Sequence, residues 1–351
     1  RKSLSGTRGL GWPSGTGGYF MGYIEIALAG VIWASTGPII RTLKADGFTS
    51  WDVVLGRAFF SVLFLGLWLM AKHMRQKRVG TSEPAPSVAF PVDLREGLPT
   101  FAVLGFIGVV LSQSSYFYAL TQVSVAVAVT LNYTAPFFVL VLSRVLYKEP
   151  ITKSKGVALL GALLGVALVS GFIGAGSIGI NGSFPGVLAG LVSGFSYGLQ
   201  TIVYKSVGRK HGPITLNFWM MLTGAVQLTL LLALVTSQIP TVFSRLATAS
   251  PKAWLLMTLI GIGPGTAAFG LFADGINKVE ATRGSIVAMS EPVAACLLGY
   301  LILDERLTWL QLAGVILVIG SIVGISVTKA PENADSKTGI PEHSRQADQN
   351  A

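Results

Sequence analysis

The chain has 351 residues, 51% of them hydrophobic and 12% charged, with a mean hydropathy of +0.63 and a formal net charge of +10. About a quarter of the residues of a soluble domain are charged, so this composition excludes a surface that faces water throughout. The basic residues sit in short clusters between apolar runs, which argues against a nucleic-acid binder, and a single cysteine, Cys296, excludes an intrachain disulfide framework or a cysteine metal site.

Residues 1–20 are basic and rich in Gly and Ser, with no apolar core of a signal peptide. They are expected to form a disordered or appended arm ahead of Met21. Ten apolar runs follow, at 21–43, 52–71, 97–120, 123–146, 156–174, 185–206, 214–236, 251–275, 279–303 and 307–328. Each is about as long as the 20 residues a spanning helix requires, and in lipid a run of that length satisfies its backbone only as a helix. The separators are short and hold turn formers, as in Lys44-Ala45-Asp46-Gly47; the longest, 72–96, carries Pro84, Pro86 and Pro91. Residues 329–351 are polar and read as a disordered tail. The expected fold is an all-α membrane protein of ten transmembrane helices.

Lys and Arg placement sets the expected orientation. With the N-terminus inside, 20 of the 26 basic residues fall in inside segments, five fall in outside loops, and Arg57 lies within a helix. Both termini are therefore expected on the cytoplasmic side of a bacterial-type inner membrane. A cysteine replacing Ser177 or Asn181 should react with an impermeant thiol reagent in intact cells, and one replacing Lys77 or Lys210 should not. Labelling at Lys77→Cys would reverse the topology.

The chain also repeats. A shift of 156 brings Gly105 onto Gly261, Val123 onto Val279, Pro136 onto Pro292, Glu149 onto Glu305 and Thr152 onto Thr308. Near the first run a shift of 160 brings Leu28-Ala29-Gly30 onto Leu188-Ala189-Gly190. The halves are 21–174 and 185–328. Five helices per half is odd, so the second half is expected upside down relative to the first. Inverted repeats are an architecture of secondary transporters, with the solute near the midplane between the halves.

Ionisable groups inside a membrane are costly and mark function. Glu291 precedes Pro292 near the centre of the ninth run, where proline frees a helical carbonyl; it is a candidate for proton coupling or for contact with a solute amine. Arg57 is a candidate carboxylate contact or a structural arginine. Glu25 reads as interfacial, and Asp274 as a boundary partner of Lys278. Polar and aromatic candidates for a solute cavity are Trp33, Ser35, Thr36, Gln113, Ser114, Tyr118, Asn132, Tyr133, Ser196, Tyr197, Gln200, Asn217 and Trp219. A mid-helix amide such as Asn132 requires a polar partner. Gly261-Ile262-Gly263-Pro264-Gly265-Thr266 has a phosphate-loop composition but lacks the lysine, and reads as close packing or a helix break. The three histidines fall in loops or the tail, and no phosphate loop or nucleophile elbow occurs.

Several segments carry a family likeness: Trp33; Arg57-Ala58-Phe59-Phe60; Tyr116-Phe117-Tyr118-Ala119-Leu120 ahead of the small residues Ser124 to Ala128; Ala135-Pro136-Phe137; Lys148-Glu149 ahead of Thr152; Ser290-Glu291-Pro292; and Asp304-Glu305-Arg306-Leu307-Thr308. Together they resemble the drug/metabolite transporter superfamily and, within it, the EamA-like family of exporters, over roughly residues 22–328. The resemblance implies two inverted five-helix halves and export of amino acids or related metabolites. The chain departs from it at Asn217-Phe218-Trp219, which stands where Arg57 would be repeated. The expectation is a secondary transporter working by alternating access, without cofactor, metal or nucleic acid, with a small solute and membrane lipid as partners, the proton as possible coupling ion, and a monomeric or weakly dimeric state. A passive facilitator of the same fold, or an integral-membrane transferase, are the alternatives.

Overall fold

A computed structural model describes residues 16–79, 94–123, 125–173, 184–235, 239–303 and 307–328. The arm before residue 16, the proline-rich part of the 72–96 loop, Asp304-Glu305-Arg306, Ser124 and the tail lie outside the described residues. The first helix is already formed at Thr16, so residues 16–20 belong to it and not to a preceding arm.

Among the described residues the structure is helical throughout, without strands. Nine helices among the described residues are long and apolar enough to cross a membrane: α1 (Gly18–Ala45), α2 (Ser50–Ala71), α3 (Gly97–Leu120), α4 (Val127–Leu146), α6 (Phe184–Gly208), α7 (Pro213–Val235), α8 (Pro251–Lys278), α9 (Ala281–Leu301) and α10 (Trp309–Val327). The fifth expected run folds as α5 (Lys153–Val169), 17 residues. That is about 26 Å at 1.5 Å per residue, against about 30 Å of hydrocarbon. It stops early because Gly171 takes φ +79° and turns the chain out of the helix. Large apolar side chains point outward all round, including Leu234, Val157, Leu301 and Ile316, the reverse of a water-facing surface and the arrangement lipid requires.

Local signals explain the repeated Thr. Thr152 caps α5 by accepting from Lys155 N, and Thr308 caps α10 by accepting from Gln311 N in a capping box. The match between halves therefore marks the same helix start twice.

Packing shows the repeat more fully. α1 packs on α8 and α9, while α6 packs on α3 and α4; α2 packs on α8, while α7 packs on α3; α5 pairs with α10. Exchanging each helix with the one five later maps these pairs onto one another and α5–α10 onto itself. The irregularities repeat as well. α3 contains a π-helical segment at Phe106–Gln113 and α8 one at Gly263–Ala268, so the glycine-rich stretch around Pro264 is a π-turn and not a phosphate cradle. α4 breaks at Tyr133 and Thr134, and α9 at Ala288 and Met289.

The structure corrects the alignment near α1. A Cβ on Gly22 would come 2.9 Å from Val279 Cγ1, and one on Gly186 would come 2.9 Å from Val123 Cγ1. Gly30 abuts Ser290 and Glu291, and Gly194 abuts Thr134 and Asn132. The counterpart of Gly30 is Gly194, not Gly190. The sequence match at 160 was one helical turn out, because a slip of about four residues keeps the same face inward and apolar identity does not resist it. The same applies to α2. Gly261 of α8 lies against Arg57 O and Ser61 N, while Gly105 of α3 lies against Met220 O and Gly224 N. Arg57 therefore corresponds to Met220, not to Asn217.

Candidate functional site

The helix breaks and π-segments converge on a cavity of about 120 Å³. Its wall takes Trp33, Thr36 and Ile40 from α1, Arg57 from α2, and Ser112, Gln113, Tyr116 and Phe117 from α3. Asn132 of α4, Tyr197 and Gln200 of α6, Phe269 of α8 and Glu291 of α9 complete it. The corrected repeat places the cavity on the axis between the halves. Trp33 corresponds to Tyr197, Thr36 to Gln200 and Gln113 to Phe269, so paired positions face each other.

Irregular backbone is what admits polar side chains here. A π-turn frees carbonyls from the helical ladder and is frequent at functional sites. Trp33 Nε1 donates to Pro264 O at 3.0 Å, so the indole spans the halves and its N–H is already engaged. Its ring lies edge-on to Phe269 at 5.0 Å and to Tyr197 at 6.3 Å, and tilted against Phe272 at 5.4 Å. Ser193 Oγ donates to Asn132 Oδ1 at 3.1 Å, the polar partner that a mid-helix amide needs. Gln200 Nε2 donates to Met220 Sδ at 3.4 Å, beside Tyr204 Oη at 3.3 Å from the same sulfur.

Two charges of opposite sign and of different halves share this wall. Glu291 occupies the first turn of the second segment of α9, Ser290–Leu303, where the helix N-terminus favours a negative charge. The Tyr133 hydroxyl hydrogen-bonds its carboxyl group, and Arg57 is close enough to act on it electrostatically. The Arg57 guanidinium carbon lies 5.9 Å from the Phe269 ring centroid, a cation–π distance. Arg57 is 8% exposed, and its Nε has no hydrogen-bond partner; neither has the buried Nε2 of Gln113. Buried donors are normally satisfied, so two unpartnered donors on one cavity wall point to a ligand with acceptor atoms. The repeat makes neither charge symmetric: Met220 stands opposite Arg57, and Ala135 stands 156 residues before Glu291.

Of the sequence candidates, Glu291, Arg57, Trp33, Thr36, Gln113, Asn132, Tyr197 and Gln200 reach the wall. Ser114 and Tyr118 do not line it. Ser114 Oγ donates to Val109 O at 3.2 Å within its own helix, and Tyr118 is 42% exposed on the outer surface. Gln113, Tyr116 and Phe117 are spaced i, i+3 and i+4 and face inward with Ser112, while Ser114 and Tyr118, one turn apart, share another face. Ile40, Ser112, Tyr116, Phe117 and Phe269 were not selected as wall residues.

Tyr133 stands behind the wall on Glu291, and Asn217 and Trp219 serve packing. Asn217 Nδ2 donates to Gly265 O at 3.0 Å, satisfying a carbonyl of the π-segment, and Trp219 stacks on Phe101 at 5.5 Å. Lys278 binds both Asp274, at 2.9 Å, and Glu25.

Two segments, residues 20–171 and 184–327, match the profile of the EamA-like transporter family. The chain belongs to the EamA-like transporter family. It is 30% identical over 235 residues to an uncharacterized transporter of Archaeoglobus fulgidus, covering 66% of this chain and 79% of that one. It is 26% identical over 291 residues to an uncharacterized transporter of Bacillus subtilis, YdfC, covering 83% and 86%. One solved crystal structure superposes with a TM-score of 0.65 at 18% identity, covering 88% of this chain and 96% of that one, which extends to the fold alone. The chain is thus an integral membrane transporter of the drug/metabolite type, and the EamA-like protein carries its charged pair where its two halves meet.

Proposed function

We propose that this EamA-like protein is a secondary transporter that exports a small metabolite, an amino acid or a related amphipathic compound, by alternating access around the cavity between its halves. The observation that carries this reading is the pairing of a buried Arg57 from the first half with Glu291 from the second, on a wall otherwise made of rings and amides. A zwitterion presents the complementary charges: its carboxylate meets Arg57 and Gln113, and its ammonium meets Glu291. Trp33, Tyr197 and Phe269 leave an aromatic surface for its side chain. A volume of 120 Å³ is room for about four waters at roughly 30 Å³ each, so the solute is small or the halves part further around it.

Glu291 binds either a proton or the solute's ammonium group, not both. That competition couples proton entry to solute exit when the cavity opens to each side in turn. The excess of Lys and Arg in one set of loops supports cytoplasmic termini and an inner-membrane setting. The test is a solute-panel export assay in cells overproducing the chain. Expected is export of one or more amino-acid-like solutes that collapses with a proton uncoupler. Export of uncharged solutes only, or uncoupler-insensitive equilibration, would overturn the reading.

A further inference from the structure

A second group of buried charges lies away from the cavity, where the N-terminal end of α1 meets the ends of α4, α6, α8 and α10. Lys155, at the start of α5 in the first half, is fully buried. Its Nζ lies 3.3 Å from Glu280 Oε1 and 3.7 Å from Glu149 Oε2. Glu280, in the α8–α9 connection of the second half, also accepts from Arg283 Nε at 2.5 Å. Arg283 is 2% exposed and donates through Nη1 to Ile325 O, at 2.7 Å, and Thr328 O at the end of α10. Across the same seam Ser143 and Thr282 hydroxyls are 2.9 Å apart, Ala281 N donates to Glu149 Oε1 at 3.3 Å, and Lys205 donates to Val279 O.

The repeat gives this cluster its meaning. A fold of two matched halves builds the same seam twice, once at each end of the exchange. The positions 156 residues from Glu280, Arg283 and Lys155 hold Ser124, Val127 and Gln311. The halves do not repeat these three charges; Glu149 has a counterpart in Glu305, which lies outside the described residues. The other end has an ion pair of its own, Asp52 with Arg245 at 2.9 Å, but that pair ties α2 to the short helix Ile239–Ala247, and its arginine side chain is 32% exposed. Buried ions attract strongly only while their geometry is kept, and separating them exposes uncompensated charge.

We propose that Lys155, Glu280 and Arg283 form an ionic latch that holds the α1 N-terminal end of the transporter shut, and that this end is harder to open than its repeat-related counterpart. The proposal rests on the alternating-access reading above. The latch keeps the cavity closed toward one side until bound solute or proton offsets its separation, so the two faces open with unequal ease and an unloaded carrier does not leak.

The test uses full-length protein in liposomes with Cys296→Ser and one probe, Ser285→Cys, which lies on α9 just beyond Arg283 and is buried in the wild-type structure. The reagent is a cationic methanethiosulfonate. Expected is slow labelling with the latch intact, a rise of at least tenfold in Glu280→Gln and in Lys155→Met, and a rate within twofold of the parent in Lys155→Arg. Ser143→Ala, which removes the hydroxyl bonded to Thr282 and to Leu140 O but no charge, covers the case in which the charge variants do not fold; a two- to fivefold rise is expected. Rates within twofold of the parent in every folded variant overturn the latch. Labelling needs no solute, so that failure leaves the export assay to judge the transport reading, while absence of export with latch-dependent labelling overturns the transport reading alone.

Discussion

Glu291→Gln is expected to insert and fold but to lose concentrative export by at least tenfold, while retaining solute exchange. A charged side chain at the bilayer centre costs about 2.5–3.5 kcal/mol on insertion scales, so glutamine or an apolar residue would be the cheaper choice at this position. The carboxyl is held at a helix break, hydrogen-bonded by Tyr133 and facing Arg57. Glutamine keeps the size and still accepts from Tyr133, so packing survives. It cannot carry a proton or a negative charge, so exchange of solute for proton stops. Solute accumulation and exchange, measured in vesicles across a pH series, separate the two functions. Export at the wild-type rate with unchanged pH dependence would make Glu291 a structural group.

The second large effect concerns stability. Gly314→Val is expected to lower the unfolding temperature of the purified protein by roughly 5–10 °C. α5 and α10 form an extensive helix pair, and they meet through glycine. A Cβ at Gly314 would lie 2.7 Å from Gly165 O and 2.8 Å from Val169 N; one at Gly165 would lie 2.8 Å from Gly314 O. These are backbone atoms of a facing helix and do not swing aside. Small residues let membrane helices approach this closely, where lipid removes the hydrophobic drive for association. Forcing a larger side chain into a packed contact costs about 1–3 kcal/mol, or a few degrees per kcal/mol for a chain of this class. Gly320→Val is the control, since it lies on the same helix with nothing within 4 Å of a new Cβ. Equal melting curves for the two variants would show that α5 and α10 are not held by close approach.

The helix runs were legible because a membrane imposes a length and a composition on them, and nine of the ten formed as spans. The fifth fell short because one left-handed glycine, Gly171, ended it, and hydropathy is blind to that. Glu291 was legible for a related reason: a carboxylate beside proline in an apolar run has few bland explanations. Ser114 and Tyr118 were misplaced because they lie on a different face of α3 from Gln113, Tyr116 and Phe117, and which face meets the cavity is decided by packing on α6 and α7. The repeat was visible at Pro136 and Pro292, yet Arg57 was matched to the wrong residue of α7. An apolar helix slides by one turn without disturbing its pattern, and only Gly105 and Gly261, pressed on backbone, fix the register.

The amino-acid sequence by itself determined that this chain lies in a membrane, that it is built twice, and that a carboxylate stands where lipid disfavours one, because the bilayer penalises charge and unpaired backbone residue by residue. Only the tertiary structure decided that Arg57 and Glu291 share one cavity, that Trp33 faces Tyr197, and that Lys155 meets Glu280. Those pairings join residues from opposite halves of the chain, and their proximity depends on helix register and packing, which no local pattern encodes.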